Sequence, residues 1–238
     1  MRGSWVLIGT LACATPAVAL DWSGELTLAT EWMDRGISQT AGDPAVQASV
    51  TVASEPGVYL ALFGSNVDFG DCCSERLQFD GTLGVARPLG AVEWDLGVTL
   101  SRFPGTSENI DFEEYHLGFR WHNLGFTTFW KPDFANTGRE AWYLELGADY
   151  ELPWHALRLL LQVGYTDGSA LARRFVDDTG LEPYRDWRIG LQRDFGRFTA
   201  TLAWADTDIG GELRNREPVE FNDGRLFLAV SFNLDTGS

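Results

Sequence analysis

The chain has 238 residues, enough for one or two domains, and carries a formal net charge of −16 at pH 7. This charge argues against nucleic acid as a partner, because phosphate binding needs a basic surface and Lys131 is the only lysine. Glycine and tryptophan are abundant, at 26 and 10 residues, whereas methionine occurs only twice.

Residues 1–19 have the pattern of a secretory signal peptide. Arg2 supplies the positive start, a short apolar segment follows, and Ala17-Val18-Ala19 fits a cleavage site. The apolar segment is too short to cross a bilayer as a helix. We therefore expect residues 1–19 to be removed on export and residues 20–238 to form the mature protein.

After residue 20, about a dozen segments alternate apolar with polar residues, as half-buried strands do. The gaps between them alternate in length. Short gaps lie near 54–57, 88–90, 122–125, 152–154 and 194–197, and long gaps lie near 34–43, 66–74, 103–109, 131–139, 166–183 and 205–222. Tight periplasmic turns and longer outer loops are typical of bacterial outer-membrane barrels. We predict an all-β, antiparallel transmembrane β-barrel of about 12 strands, within a range of roughly 10 to 14.

One face of each predicted strand is apolar and the other polar. Near residues 91–101, Trp94 and Leu96 share the apolar face, and Glu93 and Asp95 lie on the other. A soluble barrel or sandwich would turn its apolar face inward. The signal peptide, the aromatic residues at strand ends and the charges in mid-strand favour the membrane barrel, in which the polar face lines the lumen.

The predicted lumen-facing residues are charged or ionisable: Glu25, Glu31, Arg76, Asp80, Glu93, Asp95, Glu114, His116, Arg120, Glu145, Asp149, Arg158, Asp186 and Arg188. Nine of them are acids and four are arginines. Carboxylate-lined pores favour cations. Alternatively, the charges pair with one another and fill a narrow lumen, as side chains do in small barrels.

Tryptophans on the apolar faces are candidates for the membrane interface. They are Trp22, Trp32, Trp94, Trp121, Trp142 and Trp187. Trp22 and Trp32 lie on one side of the first predicted strand. At about 3.4 Å per residue and a tilt near 45°, they are roughly 24 Å apart along the membrane normal. Since the apolar band of such barrels is about 25 Å tall, the pair is predicted to mark both interfaces.

Cys72 and Cys73 are adjacent, and an exported protein folds in an oxidising compartment. The pair has three open outcomes: a vicinal disulfide, pairing between chains, or two free thiols. A metal site would need further ligands, and no histidine lies nearby in sequence. We predict neither a metal site nor a cofactor.

Only three histidines are available for acid–base chemistry. His122 and His155 fall in short gaps, whereas His116 faces the predicted lumen between Glu114 and Arg120. The sequence has no G-x-S-x-G elbow, no H-E-x-x-H pair and no phosphate-binding loop. We therefore predict no catalytic residues, and a barrel lipid hydrolase that depends on His116 is the enzymatic alternative.

Residues 34–40 read D-R-G-I-S-Q-T, residues 42–47 read G-D-P-A-V-Q, and residues 57–59 and 65–69 read G-V-Y and S-N-V-D-F. Over about residues 24–85 the chain resembles the TorF-like family of bacterial outer-membrane proteins, which are classed as porins. Residues 31–33 depart from the family, with E-W-M where S-D-Y is expected. The chain also continues six residues past Phe232, although porins commonly end in an aromatic residue.

The family motif loop consists of Arg35, Gly36, Ile37, Ser38 and Gln39, in the first long gap. Glycine permits a tight loop here, and Arg35 can reach a carboxylate. One role is a loop folded into the pore as a constriction. The other, which we favour from the sequence, is a loop that seals or stabilises the outer rim.

The resemblance implies a porin in the outer membrane of a Gram-negative bacterium. Its partners would be outer-membrane lipid, the barrel-assembly machinery and the small hydrophilic solutes that diffuse through it, and the acidic lumen predicts a preference for cations. The alternative is a non-conducting barrel that acts as an adhesin through its acidic outer loops.

Overall fold

The computed structural model describes residues 20–55, 57–69, 76–105, 110–136, 138–154, 156–168, 183–209 and 223–234. The predictions for residues 1–19, for Cys72 and Cys73, and for His155 lie outside these residues. No helix among the described residues is long and apolar enough to cross a membrane.

Twelve strands of the described chain form one closed antiparallel barrel, and two short strands form a separate hairpin. The strands are β1 Leu20–Ala29, β2 Met33–Asp34, β3 Ile37–Ser38, β4 Ala45–Ser54, β5 Val58–Asn66, β6 Leu77–Leu89, β7 Val92–Arg102, β8 Phe112–Trp121, β9 Leu124–Lys131, β10 Ala141–Glu151, β11 Leu157–Asp167, β12 Tyr184–Phe195, β13 Phe198–Thr207 and β14 Arg225–Asn233. β2 pairs only with β3, and every other strand belongs to the barrel.

Neighbouring strands in the chain pair with each other, and β1 closes the ring by pairing with both β4 and β14. Closure leaves no open sheet edge, so the backbone hydrogen bonds of the wall are made within the protein. The expected antiparallel β-barrel of about 12 strands is confirmed. The connections also follow the expected order, with tight turns at one end, such as those at Gly90 and Gly196, and longer loops at the other.

The outer face of the barrel is apolar. Large side chains at alternate positions are exposed there, for example Leu28 at 59 % and Leu83 at 56 %. Pairing preserves the alternation from strand to strand: Leu96 of β7 lies opposite Leu117 of β8 on the outside, and Gly97 lies opposite His116 on the inside. An apolar face this extensive is unfavourable in water, so the wall suits lipid on its outside.

Candidate functional site

The connection between β1 and β4, residues 30–44, folds into the barrel. It contains β2 and β3 and is called the inner hairpin below. Met33 pairs with Ser38 and Asp34 with Ile37, so Arg35 and Gly36 form a two-residue turn at its tip. Both have positive φ, 49° and 74°. A turn with positive φ at both central residues matches the twist of a hairpin, although it is unfavourable for a non-glycine residue such as Arg35.

The tip reaches the wall opposite its origin. In the ring of twelve strands, β9 stands six positions from β1 in either direction, and β10 stands six from β4. Arg35 Nη2 lies 2.7 Å from Glu114 Oε2 on β8. The guanidinium carbon of Arg35 lies 4.8 Å from the ring centroid of Phe129 on β9 and 4.4 Å from that of Tyr143 on β10. Through the Arg35 side chain, the inner hairpin therefore reaches across the barrel interior to the opposite wall.

Glu114 holds two cations at once. Lys131 Nζ lies 3.3 Å from the same Oε2 that Arg35 contacts, and Lys131 also sits 3.9 Å from the ring centroid of Phe112. Burial alone would lower the pKa of Arg35, but the carboxylates of Glu114 and Asp34 outweigh it and raise that pKa, so Arg35 stays charged. Because these groups are buried, removing one partner of the Arg35–Glu114 pair is expected to lower the free energy of unfolding by about 3–5 kcal/mol. The loss is smaller when Arg35 is the partner removed, because Lys131 still pairs with Glu114.

The flanks of the inner hairpin pack on small residues of the wall. Met33 forms a buried cluster with Ala203 and Ala205 of β13 and with Phe227 of β14. Arg188 of β12 donates a hydrogen bond to the Met33 carbonyl at 2.6 Å. The short side chains of Ala203 and Ala205 thus leave room for the hairpin.

Gly36 meets the wall at the closest point. A Cβ atom at this position would lie 2.3 Å from Thr207 Cγ2 and 2.8 Å from Asp186 Cβ. Both the positive φ and the lack of space therefore require glycine. Among the other motif residues, Ile37 packs against Tyr184 and Ile209, Ser38 accepts a hydrogen bond from the backbone of Gly42, and the Gln39 carbonyl accepts one from the backbone of Asp68.

The wall contacts of the inner hairpin lie within the five strand residues nearest the long loops. We call this end of the interior the loop-side half, and the end next to the short turns the turn-side half. From the sequence, a role at the outer rim is favoured for the motif loop over a loop folded into the pore. In the structure, Arg35 and Gly36 lie inside the barrel, where a loop folded into the pore would be.

Two sequence predictions about β1 are wrong: that the strand continues through Trp32, and that Trp32 lies on its outer face. β1 ends at Ala29 and the chain turns inward. Glu31 is buried and its carboxylate lies 3.2 Å from Arg225 of β14. Trp32 packs edge-on against the inward ring of Phe63, at 5.4 Å, so it is not on the outer surface. The burial pattern continues to alternate past Ala29 because the inner hairpin, like a strand, buries every second residue.

Arg76 also differs from its prediction. It was expected on the lumen face of a strand, but β6 begins at Leu77. The Arg76 side chain is 68 % exposed and forms an ion pair with Asp68 at the loop end of the barrel.

The five other predicted interface tryptophans lie on outward-facing positions, with Trp22, Trp94 and Trp121 near the turns and Trp142 and Trp187 near the loops. Their location at the membrane interface stays a prediction.

His116 lies on the inner wall with Tyr59 and Asp95. His116 Nε2 is 3.3 Å from Asp95 Oδ2 and 3.2 Å from the Tyr59 hydroxyl, which donates to Asp95 Oδ1 at 3.0 Å. The three side chains come from β8, β5 and β7. The Tyr59 ring lies over Gly84 and the imidazole over Gly97, where a Cβ would clash with them. The cluster is thus a bridge across the wall, with a phenol and a carboxylate rather than a serine hydroxyl beside the imidazole.

The remaining predicted lumen residues occupy the inner wall, and most bond within their own strand or to a strand one or two positions away. Arg120 lies 3.2 Å from Asp149, and Arg158 donates to Gln192 at 3.0 Å. Glu145 accepts from Gln162, Asp80 from Gln78, Asp186 from Tyr143, and Glu25 from Thr27. Glu93 lies at the turn end and is exposed. Among the described residues, no three His, Cys, Asp or Glu side chains are grouped as a metal site would require.

Several residues of the hairpin contact were not predicted from the sequence. Phe129, Lys131 and Tyr143 contact Arg35 or share its carboxylate. The available signal was an aromatic residue on the polar face of a strand, because such a residue needs a packing partner in the interior. Asp194, which accepts from Thr199 at 2.8 Å, is a further inner-wall carboxylate that was not predicted.

The barrel resembles solved porin structures. One, described as KdgM porin, has a TM-score of 0.56 and 10 % sequence identity, over 88 % of this chain and 98 % of that chain. A second, described as NanC porin, has a TM-score of 0.53 and 10 % identity, over 92 % of this chain and 100 % of that one. At this identity the likeness establishes a shared fold and nothing more.

Sequence comparison assigns a family without an activity. Residues 13–232 match the family described as "Bacterial protein of unknown function (Gcw_chp)". No curated protein matches the sequence significantly.

Proposed function

We propose that this chain, which belongs to the Gcw_chp family, is an outer-membrane porin for passive diffusion of small hydrophilic solutes, with a preference for cations. The observation that carries the proposal is the division of the barrel wall. Large apolar side chains are exposed on its outside, and charged and polar side chains occupy its inside. Such a wall suits a lipid surround and an aqueous interior. The resemblance of residues 34–47 to TorF-like porins supports the same proposal.

The preference for cations follows from which charges are paired. Glu114 and Glu31 are neutralised by Arg35, Lys131 and Arg225, and Asp149 by Arg120. In the described part of the chain, five predicted lumen acids form no ion pair with a basic side chain: Glu25, Asp80, Glu93, Glu145 and Asp186. An interior with unpaired carboxylates concentrates cations and repels anions.

The inner hairpin limits the width of the passage. Twelve strands lie between the filled eight-stranded barrels and the open sixteen-stranded porins, so one hairpin across the interior takes up much of the section. Solutes would then pass beside the hairpin in the loop-side half and through a wider, acid-lined turn-side half. We expect a small conductance that is sensitive to the position of the hairpin.

The test is the conductance and reversal potential of residues 20–238 refolded into a planar bilayer under a salt gradient. We expect discrete current steps and a reversal potential whose sign shows that cations permeate more readily than anions. A protein that is inserted, as judged by protease protection, and yet never conducts would overturn the proposal. Anion selectivity would agree with a porin but would exclude the proposed role of the acids in selectivity.

The width of the hairpin contact favours one alternative, a non-conducting barrel that binds a surface partner through its acidic outer loops. In that case the inner hairpin closes the interior permanently and stiffens the barrel. The alternative predicts no conductance, even after the tip of the hairpin is removed, and a partner whose binding depends on calcium. These outcomes are the opposite of those expected for the porin.

A further inference from the structure

The wall of the barrel presents a cation site that does not depend on the inner hairpin for its construction. Its floor is the carboxylate of Glu114, and its two sides are the rings of Phe129 and Tyr143, on three consecutive strands. A carboxylate with two aromatic faces is the arrangement that holds guanidinium and ammonium groups in proteins. In this structure the site holds the guanidinium of Arg35.

The wall holds these groups in place. The Tyr143 hydroxyl donates to Asp186 Oδ1 at 3.2 Å and accepts from Gln162 at 3.1 Å, which fixes the ring. Lys131 lies 3.3 Å from Oε2 of Glu114 and helps to hold this carboxylate in place. The site is thus preorganised.

Arg35 reaches the site as the tip of a hairpin, 79 residues away from Glu114 in the chain. Its backbone adopts a positive φ of 49°, which a non-glycine residue accepts only where contacts compensate. A tethered group of this kind acts as an internal ligand with a high effective concentration. A free solute with the same charged group would contact the same wall atoms.

We propose that Glu114, Phe129 and Tyr143 form a binding site for the guanidinium or ammonium group of a solute, and that Arg35 competes with that solute for the site. The inference rests on the proposed function and narrows its solute class to organic cations. Simple inorganic ions are a poorer fit, because they prefer several oxygen ligands, whereas here two of the three contacting groups are aromatic faces.

The test removes the internal ligand and supplies a free one. Arg35→Ala vacates the site but leaves Glu114 paired with Lys131, so the variant is expected to fold. Methylguanidinium is titrated into the folded protein in detergent, and binding is followed by calorimetry with sodium chloride held constant. We expect saturable binding with a Kd of about 1–10 mM, reasonable for so small a ligand. Wild-type protein should bind at least tenfold more weakly, because Arg35 occupies the site.

Two further variants locate the binding. Arg35→Ala combined with Phe129→Leu removes one aromatic face without changing any charge, and should weaken binding at least tenfold. Arg158→Ala removes an inner-wall arginine that bonds to Gln192 instead, and should behave as wild type. If Arg35→Ala does not fold, Arg35→Gln keeps most of the side-chain length and takes its place. Methylammonium, titrated in parallel, shows which of the two cation types the site prefers.

The proposal is overturned if Arg35→Ala binds no better than wild type or Arg158→Ala, or if Phe129→Leu has no effect. Binding in detergent does not require conduction. A variant that binds methylguanidinium in a barrel that never conducts would keep the site and remove the porin. A conducting barrel without binding would do the reverse.

Discussion

The two halves of the barrel interior follow the same alternation but hold different residues. In the turn-side half, inward side chains are mostly small or polar and bond to one another, as Arg158 and Gln192 do at 3.0 Å. In the loop-side half they include Phe129, Tyr143 and Phe227, which pack against the inner hairpin. Alternation therefore decides which side chains point inward, whereas the type of these side chains reveals what occupies the interior.

Removing the inner hairpin should make the two halves of the interior alike, and of the changes considered it has the largest expected effect. Ala29 and Ala45 are register partners at the base of the inner hairpin, so a short Gly-Ser linker can replace residues 32–40 without stretching β1 or β4. We expect the single-channel conductance to rise severalfold, because the loop-side half would then be open. The measurement is the step size in a planar bilayer, with Glu113→Gln on the outer face as a control that leaves it unchanged. An unchanged step in a folded barrel would mean that the hairpin does not limit flow.

The fit of the hairpin tip can be tested with a pair of glycines. Gly36 and Gly90 have similar φ angles, 74° and 66°, but a Cβ at Gly36 meets Thr207 whereas one at Gly90 has nothing within 4 Å. Gly36→Ala should lower the free energy of unfolding by about 2–4 kcal/mol, and Gly90→Ala by about 1 kcal/mol from backbone strain alone. Equilibrium unfolding by urea in lipid vesicles measures both. Equal losses would show that the tip is not tightly packed.

Two acids of the inner wall provide a smaller effect, on selectivity rather than on stability. Glu25→Gln with Glu93→Gln removes two inner-wall charges that have no basic partner in the described residues. The cation-to-anion permeability ratio should fall toward one, because the interior loses part of its negative potential. Reversal potentials under a salt gradient measure it. Glu113→Gln is the matched control, since Glu113 neighbours Glu114 in sequence but points outward; a similar fall in that variant would assign selectivity to the outer surface instead.

The barrel could be predicted from the sequence because its signals are local. Most strands show a period of two, and most short gaps contain a turn residue with positive φ, such as Gly90 or Gly196. Even the weakly patterned segment near residues 198–204 forms a strand, β13, in the expected place. The even number of antiparallel strands then allows the ring to close with every pair antiparallel.

The inner hairpin could not be placed in the same way, because its contacts are distant in the chain. Nothing near Arg35 in sequence indicates that Glu114 is its partner, and the apolar and polar alternation of β1 continues through Trp32 although the strand has ended. Periodicity reports burial on one side, whether the burying partner is lipid or a hairpin. The distinguishing evidence was on the receiving wall, where Ala203, Ala205 and Tyr143 occupy inward positions that polar groups fill elsewhere.

The bridge formed by Tyr59, Asp95 and His116 gives the smallest expected effect and tests whether the turn-side half is held by its own wall. Tyr59→Phe removes the hydroxyl that contacts both partners and leaves the ring over Gly84. The expected loss is about 1 kcal/mol of unfolding free energy, typical of one part-buried hydrogen bond, with no change in conductance. Tyr150→Phe, on the outer face of β10, is the control and should lose nothing measurable. A change in single-channel conductance in Tyr59→Phe would instead show that the bridge lines the solute path. The substitution removes one hydroxyl from the wall and leaves the inner hairpin, where the passage is narrowest, in place.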